Sequence, residues 1–303
     1  VYTTTDLLAF LKLRGAISST GALFTTDKLL DECTATMWDY IVPLIRKARE
    51  NYYQWDDDTA LNATGKYAIN SRASGGSLGD FFLIDASPTP TRKTNLTFLT
   101  ENELQDYGAT PGDRPGCYIK RNHIYLVPAT GLAWSYLRQQ FFLRPGRFVE
   151  TTDCAQVTSF DTTTKVVTCS TVPSTWTTSD LFDLVQANPH FDTLGISKAI
   201  TAITTGTSGT LTFSATLPTD LAVGDWISLQ NETCIVQAPP EFHALLGQKV
   251  ANTCLSTLGK MEAFKAGEAT AGKMEKDLLG IITPRVANEG KKLVNRTGLL
   301  RRR

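Results

Sequence analysis

Apolar positions change their spacing along the chain, and each change predicts a different kind of element. After Phe24, residues Leu30, Cys33, Met37, Ile41, Leu44, Ala48 and Tyr52 recur at three- and four-residue steps, the period of one helical face. Thr25, Thr26 or Asp27 can cap this helix, and Asp31 and Glu32 bring negative charge to its first turns, where the helix dipole favours it. Pro43 lies inside the pattern and predicts a kink, because proline lacks an N–H and crowds the preceding turn. The helix is expected to end near Asp56-Asp57-Asp58, read as a solvated loop, with a cation-binding loop as the alternative.

From residue 65 to 149 the runs shorten. FFLID, CYIKRNHIYLVP and WSYLRQQFFLRPG are β-type segments separated by Gly, Pro, Asn and Asp, and Arg121-Asn122 reads as a hairpin turn beside the strand residue His123. SGGSLGD is glycine-rich but leads into a strand, not a helix whose N-terminus could hold phosphate, so it reads as a flexible loop. Residues 150–235 are rich in Thr and Ser and contain a repeat. Val157-Thr158 aligns with Ile200-Thr201, Thr168-Cys169-Ser170 with Thr212-Phe213-Ser214, Pro173 with Pro218, and Asp180-Leu181-Phe182 with Asp225-Trp226-Ile227. Each copy reads as strand, turn, strand, proline-bearing loop, strand. Two such copies can close into one small sandwich or barrel, each covering the other's apolar face. TGTSGT, from Thr205 to Thr210, falls at a turn of the second copy.

Helical spacing returns after Pro239-Pro240, with Leu246, Val250, Cys254, Leu258 and Met261 as one stripe and proline favoured at the helix start. His243, in the first turn, is expected at the surface. A second helix carries Ala271, Met274, Leu278 and Ile281 on one face. Its Ala266, Gly267, Ala269 and Gly272 predict a close backbone approach, since each helical glycine costs about 1 kcal/mol against alanine. Pro284 ends it, and GKKLVNRTGLLRRR follows.

Charge adds a division that hydropathy alone does not give. The chain holds 30 basic and 30 acidic residues, so its bulk charge is uninformative. The segment Glu150–Cys234 has 2 basic and 9 acidic residues (net −7), whereas Lys249 to the end has 12 basic and 5 acidic (net +7). Such asymmetry predicts separate surfaces with separate partners. No run of about 18 apolar residues predicts a membrane span, and VYTTTDLLAF does not read as a secretory signal. The six cysteines are scattered without a C-x-x-C pair and read as buried thiols, although a disulfide among Cys154, Cys169 and Cys234 stays open. With three histidines and no zinc, P-loop or nucleophile-elbow motif, the expectation is no enzyme, no cofactor and no metal.

The order of FTTDKLLDECTATMWDYIVPLIRKARENYY, YAINSRASGGSLGDFFLID, GCYIKRNHIYLVPATG, FFLRPGRFV and PPEFHALLGQKVANTCLSTLG…MEKDLLGIITPR resembles the head-to-tail adaptor (connector) proteins of tailed bacteriophages, above all the short-tailed type. The likeness covers most of residues 6–148 and 236–286; the acidic β repeat departs from it. It implies a structural virion protein of the neck or tail, assembled in the host bacterial cytoplasm. The implied assembly is a homo-oligomeric, dodecameric ring between the portal protein and downstream tail proteins (nozzle or tail fibre), extending a channel for double-stranded DNA.

The fold class expected is therefore α+β. A helical adaptor core, made of a long N-terminal helix and a C-terminal helix pair, carries β-hairpin elements and an inserted all-β repeat domain. The divisions are 1–149, 150–235, 236–284 and a basic docking tail, 285–303. Carried onto this chain, subunit packing falls to Leu30, Met37, Ile41, Leu246, Val250, Leu258, Met274 and Leu278. Portal docking falls to Arg285, Lys291, Lys292, Arg296, Arg301, Arg302 and Arg303. The alternatives are a virion adhesin or glycan-binding β module anchored by helices, with Trp176 and Trp226 as candidate aromatics, and a nucleic-acid-binding protein using the terminal arginines.

Overall fold

The computed structural model describes residues 2–15, 23–49, 51–100, 103–105, 115–187 and 191–282. Helix α1 (Thr4–Arg14) starts in a capping box: the Asp6 amide donates to Thr3 Oγ1 (3.3 Å), and the Thr3 amide donates to Asp6 Oδ2 (2.9 Å). Helix α2 (Thr26–Thr36) is capped by Thr25, whose hydroxyl accepts from the Lys28 amide. The helical path then widens into a π turn (Met37–Ile41) before α3 (Val42–Ala48), and the Val42 amide reaches back to the Met37 carbonyl. Pro43 accounts for the wide turn. It cannot donate to the Asp39 carbonyl, and its ring would press on that carbonyl in a regular helix.

Strands β1 (Gln54–Ala60), β2 (Lys66–Ala68), β3 (Ala73–Ile84), β4 (Lys93–Asn95), β5 (Thr97–Phe98), β6 (Gly116–Lys120), β7 (His123–Val127) and β8 (Tyr136–Leu143) form two four-stranded sheets, ordered β1-β8-β3-β4 and β2-β7-β6-β5. They enclose one core containing Tyr67, Phe81, Leu83, Cys117, Ile124, Leu126 and Leu137. The β6–β7 turn places Arg121 at φ 56°. Two segments expected as loops are strand. Asp56-Asp57-Asp58 lies in β1 opposite β8, where Arg138 donates to Asp58 through Nε (2.7 Å) and Nη2 (2.8 Å) and approaches Asp56 at 3.4 Å. The cross-strand arginine neutralises a triplet whose composition alone disfavours strand. SGGSLGD is the first half of β3.

After β9 (Arg147–Phe148) the chain enters a closed barrel. Its strands are β10 (Ala155–Asp161), β11 (Val166–Cys169), β13 (Leu181–Val185), β14 (Thr193–Thr204), β16 (Thr210–Phe213) and β17 (Trp226–Leu229), in the order β10-β11-β16-β14-β13-β17. Short β12 (Thr171–Val172) pairs with β15 (Gly206–Thr207), and β18 (Glu232–Thr233) returns to pair with β9. The two sequence copies supply three barrel strands each and exchange by a two-fold operation. In the first copy Val157 pairs with Cys169 and Ser159 with Thr168 across a bulge; in the second, Ile200 pairs with Phe213 and Ala202 with Thr212 across the equivalent bulge. Gln156↔Trp226 is matched by Leu181↔Ala199, and Phe182↔Leu229 by Leu184↔Ile227. Asp180 and Asp225 each accept from the amide three residues earlier (Thr177, 2.7 Å; Ala222, 2.8 Å). Val167, Phe182, Leu184, Leu211, Phe213 and Ile227 fill the interior.

Helices α4 (Pro240–Thr257) and α5 (Met261–Ile282) form a pair joined at Gly259, φ 70°. Together with α1, α2, the π turn and α3, they share a core that includes Leu7, Leu11, Met37, Ile41, Leu246 and Val250. Buried Asn252 links the pair: it accepts from Gln248 (2.8 Å) and donates to Glu268 (2.7 Å), which also accepts from Lys249 (3.0 Å).

The expected fold class is thus corrected. Strand residues outnumber helical ones among those described, and the β elements build a closed barrel and a two-sheet unit with cores of their own. A helical adaptor core with β accessories is not what the chain forms. The α+β description survives only in the coarse sense that helices and strands are segregated. Long three- and four-step patterns stand out in a sequence, whereas short strands broken by Asp or Gly do not.

The small residues of α5 differ in their surroundings. A Cβ on Gly267 would collide with Asn252 Oδ1, whereas one on Gly272 meets nothing within 4 Å. Gly267→Ala is expected to cost about 1–3 kcal/mol through overpacking, and Gly272→Ala to be neutral or to stabilise by up to about 1 kcal/mol through helix propensity. Urea unfolding of both variants measures the contrast.

Candidate functional site

The barrel, the two-sheet unit and the helices meet at a junction built from a few buried polar groups. In strand β13, Asp183 faces Ser228 of β17 at the position that the barrel's two-fold operation leaves fixed. Ser228 is satisfied locally, donating to the Glu232 carbonyl at 2.6 Å. Asp183 accepts from the amides of Ser197 (2.8 Å) and Asn231 (2.9 Å), and its charge is met from outside the barrel by Arg72. The side chains are 3% and 1% exposed, so this is a fully desolvated ion pair. Arg72 also donates to the Arg144 carbonyl at 2.9 Å. Burial pushes the Asp183 carboxyl up, while Arg72 and the two amides pull it back. Burial likewise pushes the Arg72 guanidinium down, against the pull of Asp183.

Gln237 makes the second key. Its Oε1 accepts from the Gly146 amide (2.8 Å), its Nε2 donates to Thr193 Oγ1 (2.7 Å), and its carbonyl accepts from the Tyr53 hydroxyl (2.8 Å). One glutamine thereby holds the chain after β8, the start of β14 and the chain after α3. The third tie is α1, where the Thr4 amide donates to the Cys234 carbonyl (2.8 Å) and the Thr4 hydroxyl to the Val149 carbonyl (2.8 Å).

The structure distributes the sequence candidates unevenly. Leu30, Met37, Ile41, Leu246, Val250 and Leu278 are buried in the protein's own core, and Met274 packs against it. Those side chains are therefore engaged within one chain. Leu258 is 37% exposed and adjoins Met261, 49% exposed, so these two are open to a neighbour. Arg285, Lys291, Lys292, Arg296, Arg301, Arg302 and Arg303 lie outside the described residues. Trp176 is 3% exposed and packs on Phe182 at 4.9 Å; Trp226 packs partly against the cluster of Cys154, Val185, Phe191, Cys234 and Ile235. Neither is a free aromatic platform for a sugar.

All six cysteines are buried free thiols, which closes the disulfide alternative in this structure. The neighbouring Cys234 thiol and burial push the Cys154 thiol up. Burial pushes the Cys117 and Cys169 thiols up to about 12 and Cys254 up to about 11, far from the thiolate that nucleophilic chemistry requires. Among the described residues no group of His, Cys, Asp and Glu is arranged to hold a metal, and no helix is long and apolar enough to cross a membrane. No family model and no curated protein matches the chain.

His243, expected at the surface, is buried. Its Nε2 lies 2.9 Å from the Ala238 carbonyl, and its ring packs 4.6 Å from Tyr2 and 5.3 Å from Phe191. Helical spacing placed it in the first turn correctly; the packing of Tyr2 and Phe191 against its ring covers it there. Burial holds its pKa below the ordinary histidine value despite the Ala238 and Val236 carbonyls. The folded state then binds fewer protons than the unfolded state, so the stability from this site is full above about pH 6.5 and falls as pH drops through the lowered folded value. Thermal unfolding between pH 7.5 and 5 is expected to show this loss, and His243→Gln to flatten it.

Proposed function

We propose that this protein is a structural component of a tailed bacteriophage virion, a head-to-tail adaptor. In this reading it forms a homo-oligomeric, dodecameric ring beneath the portal protein, extends the channel for double-stranded DNA and offers a platform to the next tail proteins. The order of segments that resembles adaptors motivates the reading.

The observation that carries it furthest is α5. One face packs on α4, while the opposite face exposes Glu262, Lys265, Ala266, Ala269, Lys273, Lys276 and Asp277, directly before the basic segment in sequence. A helix with small residues and both signs of charge outward suits side-by-side contact with a second copy, where charge complementarity fixes register. The basic segment, with Leu293-Val294 and Leu299-Leu300 between its cations, suits an acidic, partly apolar groove on the portal. Weak anchoring by each copy is multiplied around a ring. The barrel and the two-sheet unit, which make up most of the strand content, would be integral parts of each ring subunit.

Mass measurement of the protein alone and with purified portal rings tests the reading. A ring, alone or on the portal, is expected. Truncation after Thr283 is expected to abolish portal attachment and leave the circular dichroism spectrum unchanged. A strict monomer that ignores the portal would overturn the proposal, and attachment by the truncated chain would remove the docking role of the tail.

A further inference from the structure

The sheet β2-β7-β6-β5 commits one face to the core, through Tyr67, Cys117, Ile124 and Leu126. Side chains alternate along a strand, so Lys66 of β2, Tyr118 and Lys120 of β6, and His123 and Tyr125 of β7 lie on the other face. The register sets them in two rows. Lys66 stands opposite Tyr125 and Tyr125 opposite Tyr118, while His123 stands opposite Lys120. The Tyr118 and Tyr125 rings stack with centroids 5.0 Å apart and 10° between their planes. The His123 ring lies 6.4 Å from Tyr125, and Lys66 Nζ approaches the Tyr125 ring at 5.9 Å.

The two tyrosines and His123 are half-buried, whereas Lys66, Lys120 and Arg121 of the β6–β7 turn are exposed. No Asp or Glu occurs in any of the four strands. None of the ion pairs among the described residues engages Lys66, Lys120 or Arg121, so their charge is left for a partner to meet. Cross-strand tyrosine pairing stabilises a sheet on its own account, but it supplies no counter-charge to the cations around it. An acidic peptide would meet the cations and leave the rings unused. A single-stranded nucleic acid uses both, because its phosphates pair with Lys and Arg while its unpaired bases stack on aromatic side chains. In a duplex the base faces are already covered by neighbouring pairs.

We propose that this sheet face is a platform for single-stranded nucleic acid, with bases stacked on Tyr118 and Tyr125 and phosphates met by Lys66, Lys120 and Arg121. The platform is independent of whether the protein forms a ring, because a short oligonucleotide reports it.

The test follows the fluorescence anisotropy of a labelled oligothymidylate, about 12 nucleotides long, titrated with the full-length protein. Saturable binding with a Kd of about 1–100 µM is expected. The basic segment beyond Thr283 can bind the same oligonucleotide, so variants of the sheet carry the decision. Tyr125→Leu is expected to weaken the oligothymidylate by about fivefold or more and to leave a duplex of the same length unaffected. Tyr125→Phe, which keeps the ring, is expected to bind within about twofold of the wild type. Lys120→Gln, at an exposed position, is expected to flatten the slope of log K against log salt by about 0.7 while the melting temperature stays unchanged. Iodouracil placed in the strand is expected to photocrosslink to Tyr118 or Tyr125, as located by peptide mass spectrometry. Wild-type affinity in both Tyr125→Leu and Lys120→Gln, or crosslinks confined to the segment beyond Thr283, would overturn the proposal. So would an equal loss of heparin binding in Tyr125→Leu, which would assign the face to an acidic polysaccharide instead.

Discussion

A single carboxylate organises this molecule. Asp183 sits on the pairing between β13 and β17 where the barrel's two-fold operation maps the structure onto itself, so the duplication supplies that place twice, once as Asp183 and once as Ser228. The serine finds its acceptor in the Glu232 carbonyl of β18, just after the last barrel strand. The aspartate finds amide donors in Ser197 of β14 and in Asn231 just after β17, but its counter-charge comes from outside the barrel, and a buried carboxylate without one costs several kcal/mol. Arg72, from the turn before β3, brings the cation. The symmetric barrel is therefore complete only when it is seated on the two-sheet unit, and one residue of the repeat converts a self-contained module into a docked one. Gln237 and α1 fix the angle of that seating.

This arrangement explains which parts of the fold are legible in the sequence. The repeat is visible because equivalent strands keep equivalent apolar positions, such as Val157 and Ile200 or Val167 and Leu211, and because Asp180 and Asp225 close the same turn. The partner of Asp183 is not visible, since Arg72 lies more than a hundred residues earlier and nothing in its neighbourhood marks it as buried. The same holds for Asp58 and Arg138, which meet only through the β1–β8 register. Composition made the acidic triplet look like a loop, and cross-strand pairing makes it a strand. The start of the long helix was readable from its stripe and from its cap, but the π turn at Pro43 was not, and the helix ends at Ala48 rather than near Asp56, leaving Tyr52 in the turn before β1.

For function, the apolar stripes proposed to join subunits serve mostly as the internal core of the helical part, with Leu258 and neighbouring Met261 left outside it. Under the proposed function, contacts to other molecules would fall to the charged outer face of α5 and to the basic segment that follows it in sequence. A scaffold whose parts are locked by desolvated polar contacts holds their relative orientation, which is what the adaptor role proposed above would require.

The dependence on the Arg72–Asp183 pair is tested most directly by equilibrium unfolding of the wild-type protein and Arg72→Met, with separate probes in the barrel and in the two-sheet unit. The account predicts coincident transitions in the wild type. In the variant it predicts a loss of about 3–5 kcal/mol and a barrel transition that separates from that of the sheets. Unchanged stability with transitions still coincident in Arg72→Met would contradict it.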